Sequence, residues 1–242
     1  MYVMPFIEQT KPIQEGIRVL EIGCGEGGVL APFADRGCYC VGVDLACHRI
    51  EHAQKFFALQ IAAGKMNFHC ENIYDEPFVN RYAGSFDIII LKDVIEHIPQ
   101  QEKFVLHLKT FLKSGGQIFF GFPPWYMPFG GHQQVCEHKL TSKLPYYHIL
   151  PKGIYKRILK MNGEPDHIIN ELLEIWNTQI TIERFEKIIR KSGLKILHKQ
   201  PYLINPIYRY KFGLKPRKQI GFINAIPYVR DFLTTCVYYM VG

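Results

Sequence analysis

The stretch EIGCGEGG, residues 21–28, follows directly on the apolar run IRVL and has four glycines among its eight residues. Glycine costs conformational entropy inside a strand or helix, so this density indicates a turn with unusual backbone angles or close approach to a ligand. The apolar run ending at Gly23 is typical of a buried parallel strand. A glycine-rich turn that leads from such a strand into a helix directs backbone N–H groups towards an anionic or polar ligand.

Two glycine patterns overlap in this turn. Gly23-x-Gly25-x-x-Gly28 matches the dinucleotide-binding fingerprint. Gly23-x-Gly25-x-Gly27, with the acid Glu21 two residues ahead, is a second spacing of the same stretch. An ordinary tight turn between a strand and a helix would also account for the glycines. The turn alone therefore leaves three interpretations open.

Strand-like and helix-like segments alternate through the first half of the chain. The strand segments after IRVLEIG are CYCVGVDL, MNFHCENI, SFDIIILKDV and QIFFGFPP, and the helical ones are VLAPFADRG, CHRIEHAQKFFALQIAAG and QQEKFVLHLKTFLKSGG. This rhythm predicts βαβ units and a parallel sheet. A later helix (TIERFEKIIRKSG), a sixth strand (LKILHKQPYLI) and a last strand (TTCVYYMV) complete the pattern. We predict a Rossmann-like, doubly wound α/β fold with a seven-stranded sheet, whose last strand is antiparallel because no regular crossover helix precedes it.

The alternation is interrupted twice. Residues 125–177 are rich in aromatic residues, histidine and proline, and we expect them to form a mostly helical cap inserted after strand 5. Residues 205–232 form a second irregular stretch, which we expect to be another insertion. The sequence shows neither an internal repeat nor a low-complexity tract.

Three further motifs narrow the interpretation of the glycine turn. Asp44 ends the second strand in VGVDL, where a carboxylate can accept hydrogen bonds from both hydroxyls of a ribose. The fourth strand continues into FDIIILKDVIEHI, and LKSGGQIFF precedes the fifth. Together with EIGCGEGG, these motifs resemble the class I S-adenosylmethionine-dependent methyltransferases, especially their small-molecule branch. The resemblance is strong from Ile17 to about Pro123 and weak over Thr181 to Gln200, whereas a nicotinamide-binding Rossmann protein would match only the first two motifs.

The resemblance implies one methyltransferase domain over residues 1–242, with S-adenosylmethionine as its cofactor. It implies that Gly23, Gly25 and Gly27 pass under the methionine part of the cofactor. Glu21 would brace that loop or reach the cofactor's amino group, and Asp44 would hold the ribose.

The resemblance also implies contacts around the adenine and the sulfonium. Leu45 would lie beside the adenine. Asn72, followed by Ile73, stands where the family often has an acid that contacts the adenine amino group, and an amide oxygen can still accept that bond. Lys92 and Asp93 end the fourth strand below the sulfonium.

Methyl transfer from a sulfonium is an in-line displacement, for which a protein mainly aligns the nucleophile and excludes water. A base helps when the acceptor is a hydroxyl. Ligands of such sheets bind beyond the carboxyl ends of the strands, so the segment after the fifth strand should carry that base. The candidate catalytic residues are His132, His138 and Asp93, with His148 as a further histidine in the same segment. We expect His132 to face the acceptor and the activity to rise with pH near 6 to 7, the ordinary histidine range.

No metal site is expected. His132, Cys136 and His138 are all potential ligands, but their spacing matches no common metal-binding motif. The seven cysteines are scattered without a CxxC pair, which favours a reducing compartment. We therefore expect a cytoplasmic protein, since there is also no signal-like or membrane-spanning apolar stretch.

The net charge of +7 favours anionic partners without choosing among them. We expect a small-molecule acceptor of anionic or lipid-like character and no nucleic acid. The favoured function is methyl transfer to a small molecule at oxygen, with nitrogen or carbon open. The alternatives are a nucleic-acid or protein methyltransferase, although the fourth strand lacks the (D/N)PP(Y/F) signature, and a non-catalytic protein that binds S-adenosylmethionine.

Overall fold

Over residues 2–242, the part of the chain that the structure describes, a computed structural model has eight strands in one sheet. In chain order they are β1 (Arg18–Ile22), β2 (Tyr39–Val43), β3 (Met66–His69), β4 (Phe86–Lys92), β5 (Leu112–Phe122), β6 (Ile196–Ile204), β7 (Arg217–Lys218) and β8 (Cys236–Val241). Their order across the sheet is β3-β2-β1-β4-β5-β8-β6-β7. The strands from β3 to β5 pair in parallel, as the alternating sequence pattern predicts.

The predicted antiparallel direction of the last strand is confirmed. The predicted number of strands is one too few. β8 runs antiparallel to both β5 and β6. The additional strand is β7, which pairs with β6 at the sheet edge. Arg217 and Lys218 are both exposed and show no apolar alternation, so no local pattern could indicate this strand.

Helices connect the strands over the same described residues. They are α1 (Val3–Ile7), α2 (Ala31–Asp35), α3 (Cys47–Phe56), α4 (Ala58–Ala62), α5 (Glu76–Tyr82), α6 (Gln101–Leu108), α7 (Lys139–Lys143), α8 (Lys152–Met161), α9 (Asp166–Thr178), α10 (Ile182–Lys191), α11 (Tyr208–Phe212), α12 (Gly221–Asn224) and α13 (Val229–Phe232). A short 3-10 turn at Ile95–His97 carries residues of the candidate site, and a second one, Gln133–Val135, follows directly after His132.

The central strands are apolar throughout because helices cover both faces of the sheet. On β4, Ile89 and Leu91 face one core, which also holds residues of α5, α6 and α10. Ile88 and Ile90 face the opposite core, with residues of α1, α2 and α3. A strand buried on both faces needs apolar side chains at every position, which explains the uninterrupted run IIIL at residues 88–91.

The two irregular stretches differ in how they pack. Residues 125–177 contain α7, α8 and most of α9, and they have a small core of their own around Tyr155, Leu159 and Leu172. Residues 205–232 contain α11, β7, α12 and α13, and no residue of α11 or α12 is buried. That the first stretch acts as a cap stays a prediction.

None of the helices over residues 2–242 combines the length and the apolar character needed to cross a membrane.

Candidate functional site

A cavity of about 590 Å³ opens at the carboxyl ends of the central parallel strands. This volume is typical of small-molecule sites. It is lined by Ile22, Gly23, Val43, Asp44, Leu45, Glu71, Asn72, Ile73, Tyr74, Val94, Ile98, Pro99, Gln100, Lys103 and Phe104. Of the predicted cofactor residues, five line this cavity: Gly23, Asp44, Leu45, Asn72 and Ile73.

The backbone of the glycine turn distinguishes its two overlapping patterns. Gly23, Gly25 and Gly27 have φ of 68°, 51° and 77°, a region that side chains other than glycine rarely adopt. A Cβ on Gly27 would also lie 2.6 Å from the ring of Phe68. Gly28 has no positive φ, and a Cβ there would meet nothing within 4 Å. The structure therefore requires glycine at the positions of Gly23-x-Gly25-x-Gly27 and not at the last position of the dinucleotide fingerprint.

We expect Gly27→Ala to weaken cofactor binding strongly and Gly28→Ala to leave it nearly unchanged. An alanine at a left-handed position costs roughly 1–2 kcal/mol before any clash with Phe68 is counted. Calorimetric titration of S-adenosylmethionine into both variants tests this, with Gly28→Ala as the matched control. Equal affinities would mean that the turn tolerates a side chain at both positions.

Asp44 holds the glycine turn as well as lining the cavity. Its Oδ2 accepts a hydrogen bond from the backbone N–H of Gly25 at 2.8 Å, and its Oδ1 accepts one from Ala46 at 2.9 Å. Each carboxylate oxygen has a further lone pair for a ligand. The sequence analysis predicted only the ligand contact, because the bond to Gly25 spans 19 residues and depends on β1 and β2 being neighbours.

Glu21 lies beneath the turn and outside the cavity lining. It is 2% exposed, and its Oε2 is buried without a hydrogen-bond partner. Burial raises the pKa of this carboxyl well above its ordinary value, while the nearby Lys92 acts to lower it. A carboxyl in such surroundings is favoured in its neutral form, which can donate a hydrogen bond.

The side of the cavity formed by Asn72 and Ile73 contains residues that the sequence analysis missed. Tyr74 lines the cavity and stacks on His107 with ring centroids 4.3 Å apart. The amide oxygen of Asn72 accepts a hydrogen bond from the N–H of Tyr74 at 3.1 Å, so this acceptor already has a partner. Gln100 and Lys103, from the start of α6, complete the wall. Only the position of PQQEKF after the fourth strand could have indicated them.

Cys47 and Cys70 are joined by a disulfide close to this side of the cavity. The bond connects the start of α3 with the end of β3, next to the cavity residues Leu45 and Glu71. The sequence favours reduced thiols, and the other five cysteines are free and buried. The pairing of Cys47 with Cys70 was not predicted, because it depends on β2 and β3 lying side by side.

A second cavity, of about 240 Å³, lies on the other side of the end of β4. It is lined by Tyr2, Val3, Val29, Lys92, Pro206, Ile207, Tyr210 and Tyr238. Lys92 therefore lines this cavity and not the first, and its contact with the cofactor stays a prediction. Its ammonium group forms an ion pair with Asp93, and Val94, two residues further, lines the first cavity. The end of β4 thus borders both cavities.

Glu96, His97 and His132 form a cluster beyond the same strand, in which Glu96 is buried, His132 is partly exposed and His97 is exposed. The Nε2 of His132 is 3.6 Å from Oε1 of Glu96, and its ring centroid is 5.0 Å from that of His97. Nitrogen and carboxylate atoms of all three residues lie within 4.8 Å of one another. Glu96 is 2% exposed, and both of its carboxylate oxygens are buried without a hydrogen-bond partner. The cluster is close enough to share a proton or an ion.

Burial sets the protonation of the cluster. Burial and then the neighbouring His97 lower the pKa of His132, Asp93 acts in the opposite direction, and the result is a pKa of about 4. Burial also lowers the pKa of His97. The pKa of Glu96 is raised, first by burial and then by Asp93. At neutral pH both imidazoles are therefore uncharged and able to accept a proton.

The other candidate histidines are not in this cluster. His138 precedes α7, and its Nδ1 accepts a hydrogen bond from the N–H of Leu140 at 3.2 Å, which caps the helix. His148 is fully buried, and its Nε2 donates to the carbonyl oxygen of Trp125 at 2.7 Å. Both side chains thus have structural partners, and only His132 joins the residues at the end of β4.

Two aromatic residues that follow β5 pack against other parts of the chain. Trp125 is 3% exposed and meets His148 edge to face, with centroids 4.7 Å apart. Tyr126 stacks on Phe232 of α13 at 5.1 Å. The loop after β5 is therefore held by the two irregular stretches together, and Trp125 belongs to the core.

Comparison with known proteins places residues 3–140 in a family described as a methyltransferase domain. Relatives include ubiquinone biosynthesis O-methyltransferases. One from Idiomarina loihiensis is 33% identical over 115 residues, which are 48% of this chain and 46% of the relative. One from Coxiella burnetii (strain RSA 493 / Nine Mile phase I) is 29% identical over 152 residues, 63% of this chain and 60% of the relative. The matches thus span about half the length of these curated relatives.

Solved structures resemble the whole chain in fold. A geranyl diphosphate methyltransferase in complex with GPP and sinefungin has a TM-score of 0.60 at 15% identity, covering 99% of this chain and 75% of the other. Phosphoethanolamine N-methyltransferase 2 from Haemonchus contortus, in complex with S-adenosyl-L-methionine, has a TM-score of 0.57 at 17% identity, covering 98% of this chain and 51% of the other. At these identities the similarity shows the fold alone.

Proposed function

The chain belongs to the class I S-adenosylmethionine-dependent methyltransferases, and on this basis we propose that it transfers a methyl group from S-adenosylmethionine to a hydroxyl of a small molecule. The observation that carries the proposal is the junction at the end of β4. There the first cavity, the second cavity and the cluster of Glu96, His97 and His132 meet within a few residues of one strand.

The first cavity fits the cofactor. Its volume of about 590 Å³ is sufficient for a nucleoside with an amino-acid tail. The left-handed glycines allow the backbone to approach the methionine part closely, and Asp44 offers both carboxylate oxygens to a ribose. Leu45, 73% exposed at the cavity wall, offers an apolar surface to the adenine. We propose Glu21, Gly25 and Gly27 as support for the turn and Gly23, Asn72 and Ile73 as contacts.

The second cavity is our candidate for the acceptor. Most of its lining is apolar or aromatic, and its single charged side chain among the described residues is Lys92. An anionic or lipid-like acceptor would complement these surroundings, with the ammonium group of Lys92 near its polar end. Asp93 pairs with Lys92 and is proposed to orient it.

S-adenosylmethionine supplies an electrophilic methyl group, so the chain's own residues need only align the hydroxyl and accept its proton. His132 is uncharged at neutral pH and has about one fifth of its side chain exposed. We propose that it takes the proton as the oxygen attacks. Asp93, whose charge acts to raise the pKa of His132, is placed to stabilise the imidazolium that forms. His138 is left out of this group, since its ring caps α7.

The names of the relatives support oxygen as the acceptor atom. The test is the formation of S-adenosylhomocysteine by the purified chain with a panel of phenols and catechols, alongside nucleic acid and protein substrates. Turnover confined to the small hydroxyl compounds would support the proposal. Turnover on nucleic acid or protein would favour the second hypothesis, and cofactor binding without turnover on any class would favour a non-catalytic role. A cytoplasmic location stays a prediction from composition.

A further inference from the structure

The positive charge of this chain is concentrated in one segment. Residues 192–230 contain eight of the 29 lysines and arginines and no aspartate or glutamate. The rest of the chain has 21 basic against 22 acidic residues, so it carries almost none of the net charge of +7. A field of one sign over a limited surface attracts an anionic partner.

The same segment exposes an unusual amount of apolar side chain. Between residues 209 and 232, five cations are exposed: Arg209, Lys211, Lys215, Arg217 and Lys218. Nine large apolar or aromatic side chains are exposed among them: Tyr210, Phe212, Leu214, Ile220, Phe222, Ile226, Tyr228, Val229 and Phe232. We call residues 205–232 the basic–apolar segment. Single exposed apolar residues are ordinary, but a contiguous group marks an interaction surface.

The acid of the basic–apolar segment does not neutralise the exposed cations. Asp231 is fully buried, and its Oδ2 accepts a hydrogen bond from the N–H of Ile182. Arg230, next to it in the chain, pairs with Glu183 at 3.0 Å. The five exposed cations therefore face solvent together with the apolar side chains.

We propose that the basic–apolar segment docks the protein on the surface of an anionic phospholipid membrane. Cations interleaved with aromatic and aliphatic side chains fit the boundary between lipid headgroups and acyl chains, where both kinds of group are satisfied. A nucleic acid would complement the cations but would leave aliphatic side chains such as Leu214 and Ile226 without a partner. An acid-poor surface also lacks the charges of opposite sign that two copies of this chain would need to pair.

The position of the basic–apolar segment relates membrane docking to the second cavity. Pro206, Ile207 and Tyr210 line the second cavity, and Phe232 stacks on Tyr126 in the loop after β5. A membrane bound to this segment would lie beside the mouth of that cavity, where a membrane-borne acceptor could enter. This consequence rests on the proposed function, whereas the docking does not.

The experiment measures sedimentation of the full chain with vesicles, in the absence of cofactor and acceptor. Vesicles of phosphatidylcholine alone are compared with vesicles that also contain phosphatidylglycerol. We expect binding to the anionic vesicles to be at least about tenfold stronger and to weaken as salt is raised. Because no methyl transfer is needed, a failure here is distinct from a failure of the proposed function.

Two variants and two matched controls locate the surface. Lys215→Gln/Arg217→Gln/Lys218→Gln removes three exposed cations, and Leu214→Ser/Phe222→Ser removes two exposed apolar side chains. The controls make the same changes on α8: Lys156→Gln/Arg157→Gln/Lys160→Gln and Ile154→Ser/Met161→Ser, where the side chains are equally exposed. We expect each segment variant to lose about tenfold or more in vesicle affinity and each control to bind like the wild type.

Several outcomes would overturn the proposal. They are equal binding to neutral and anionic vesicles, equal losses in the segment and control variants, and no vesicle binding at all. Dimerisation through the segment in lipid-free solution, abolished by Leu214→Ser/Phe222→Ser, would assign the surface to a second copy. Tighter binding of a single-stranded RNA than of anionic vesicles would assign it to nucleic acid. Thermal unfolding of each variant checks that the fold persists.

Discussion

Replacing His132 with alanine is expected to lower turnover by about 100-fold or more while the affinity for S-adenosylmethionine stays nearly unchanged. The change removes the one imidazole of the cap stretch that joins Glu96 and His97. It leaves the glycine turn and Asp44 untouched, so cofactor binding has no reason to fall. Single-turnover kinetics with a responsive acceptor, together with calorimetric titration of the cofactor, measure the two effects separately.

His138→Ala is the matched control for His132→Ala. It removes a histidine six residues away that caps α7, so we expect some loss of thermal stability and little loss of turnover per folded molecule. Full turnover in His132→Ala would leave catalysis to alignment alone. Turnover that is lost on chelation and restored by a divalent ion would instead assign the Glu96, His97 and His132 cluster to a metal.

The protonation of His132 also determines the expected pH profile of activity, which differs from the profile expected from the sequence. A general base must be unprotonated, so activity rises with pH through the pKa of the base. Burial lowers the pKa of His132 to about 4, and therefore the rise is expected near pH 4 rather than near 6 to 7. Between pH 6 and 7 the profile should be flat, unless the acceptor itself titrates there. A rise centred near 6.5 would mean that this histidine is solvated in the working enzyme.

Replacing Asp44 with alanine is expected to weaken binding of S-adenosylmethionine at least tenfold. A charge-assisted hydrogen bond contributes roughly 1.5–3 kcal/mol, and the carboxylate is proposed to accept from the ribose hydroxyls. The structure adds a second loss, since the same carboxylate accepts hydrogen bonds from the N–H groups of Gly25 and Ala46 and so holds the glycine turn. Calorimetric titration gives the affinity, and hydrogen exchange at Gly25 reports on the turn.

Asp75→Ala controls for loss of an acid close to the same cavity. Asp75 is exposed and does not line the cavity, so we expect its replacement to change cofactor affinity little. Asp44→Asn separates the two roles, because an amide keeps one acceptor oxygen and loses the charge. Wild-type affinity in Asp44→Ala would mean that the nucleoside lies elsewhere on the chain.

The parallel strands and the glycine turn were both predictable from the sequence. Residues 88–91 (IIIL) and 118–120 (IFF) are apolar without interruption because the strands are buried on both faces there, so consecutive residues in the sequence show this burial. Gly23, Gly25 and Gly27 need left-handed backbone, which only glycine adopts freely, so their spacing records the shape of the turn.

Of the cluster of Glu96, His97 and His132, the sequence analysis identified only His132 as a candidate. His132 was selected because it follows the fifth strand, yet nothing local paired it with Glu96 or lowered its pKa. The pairing arises because β4 and β5 are neighbours, which brings the 3-10 turn after one strand to the loop after the other. Lys92 is the opposite case. Its position at the end of β4 predicted a contact with the cofactor, whereas its side chain lines the second cavity.

The sequence by itself determined the family, the parallel sheet and the backbone of the glycine turn, because each depends on residues close together in the chain. Only the tertiary structure decided which distant residues meet. The short strand β7, the Cys47–Cys70 bond, the hydrogen bond from Gly25 to Asp44 and the cluster around His132 all join segments far apart in sequence. Local periodicity reports that a segment is buried, whereas the neighbours it is buried against follow from the order of strands in the sheet.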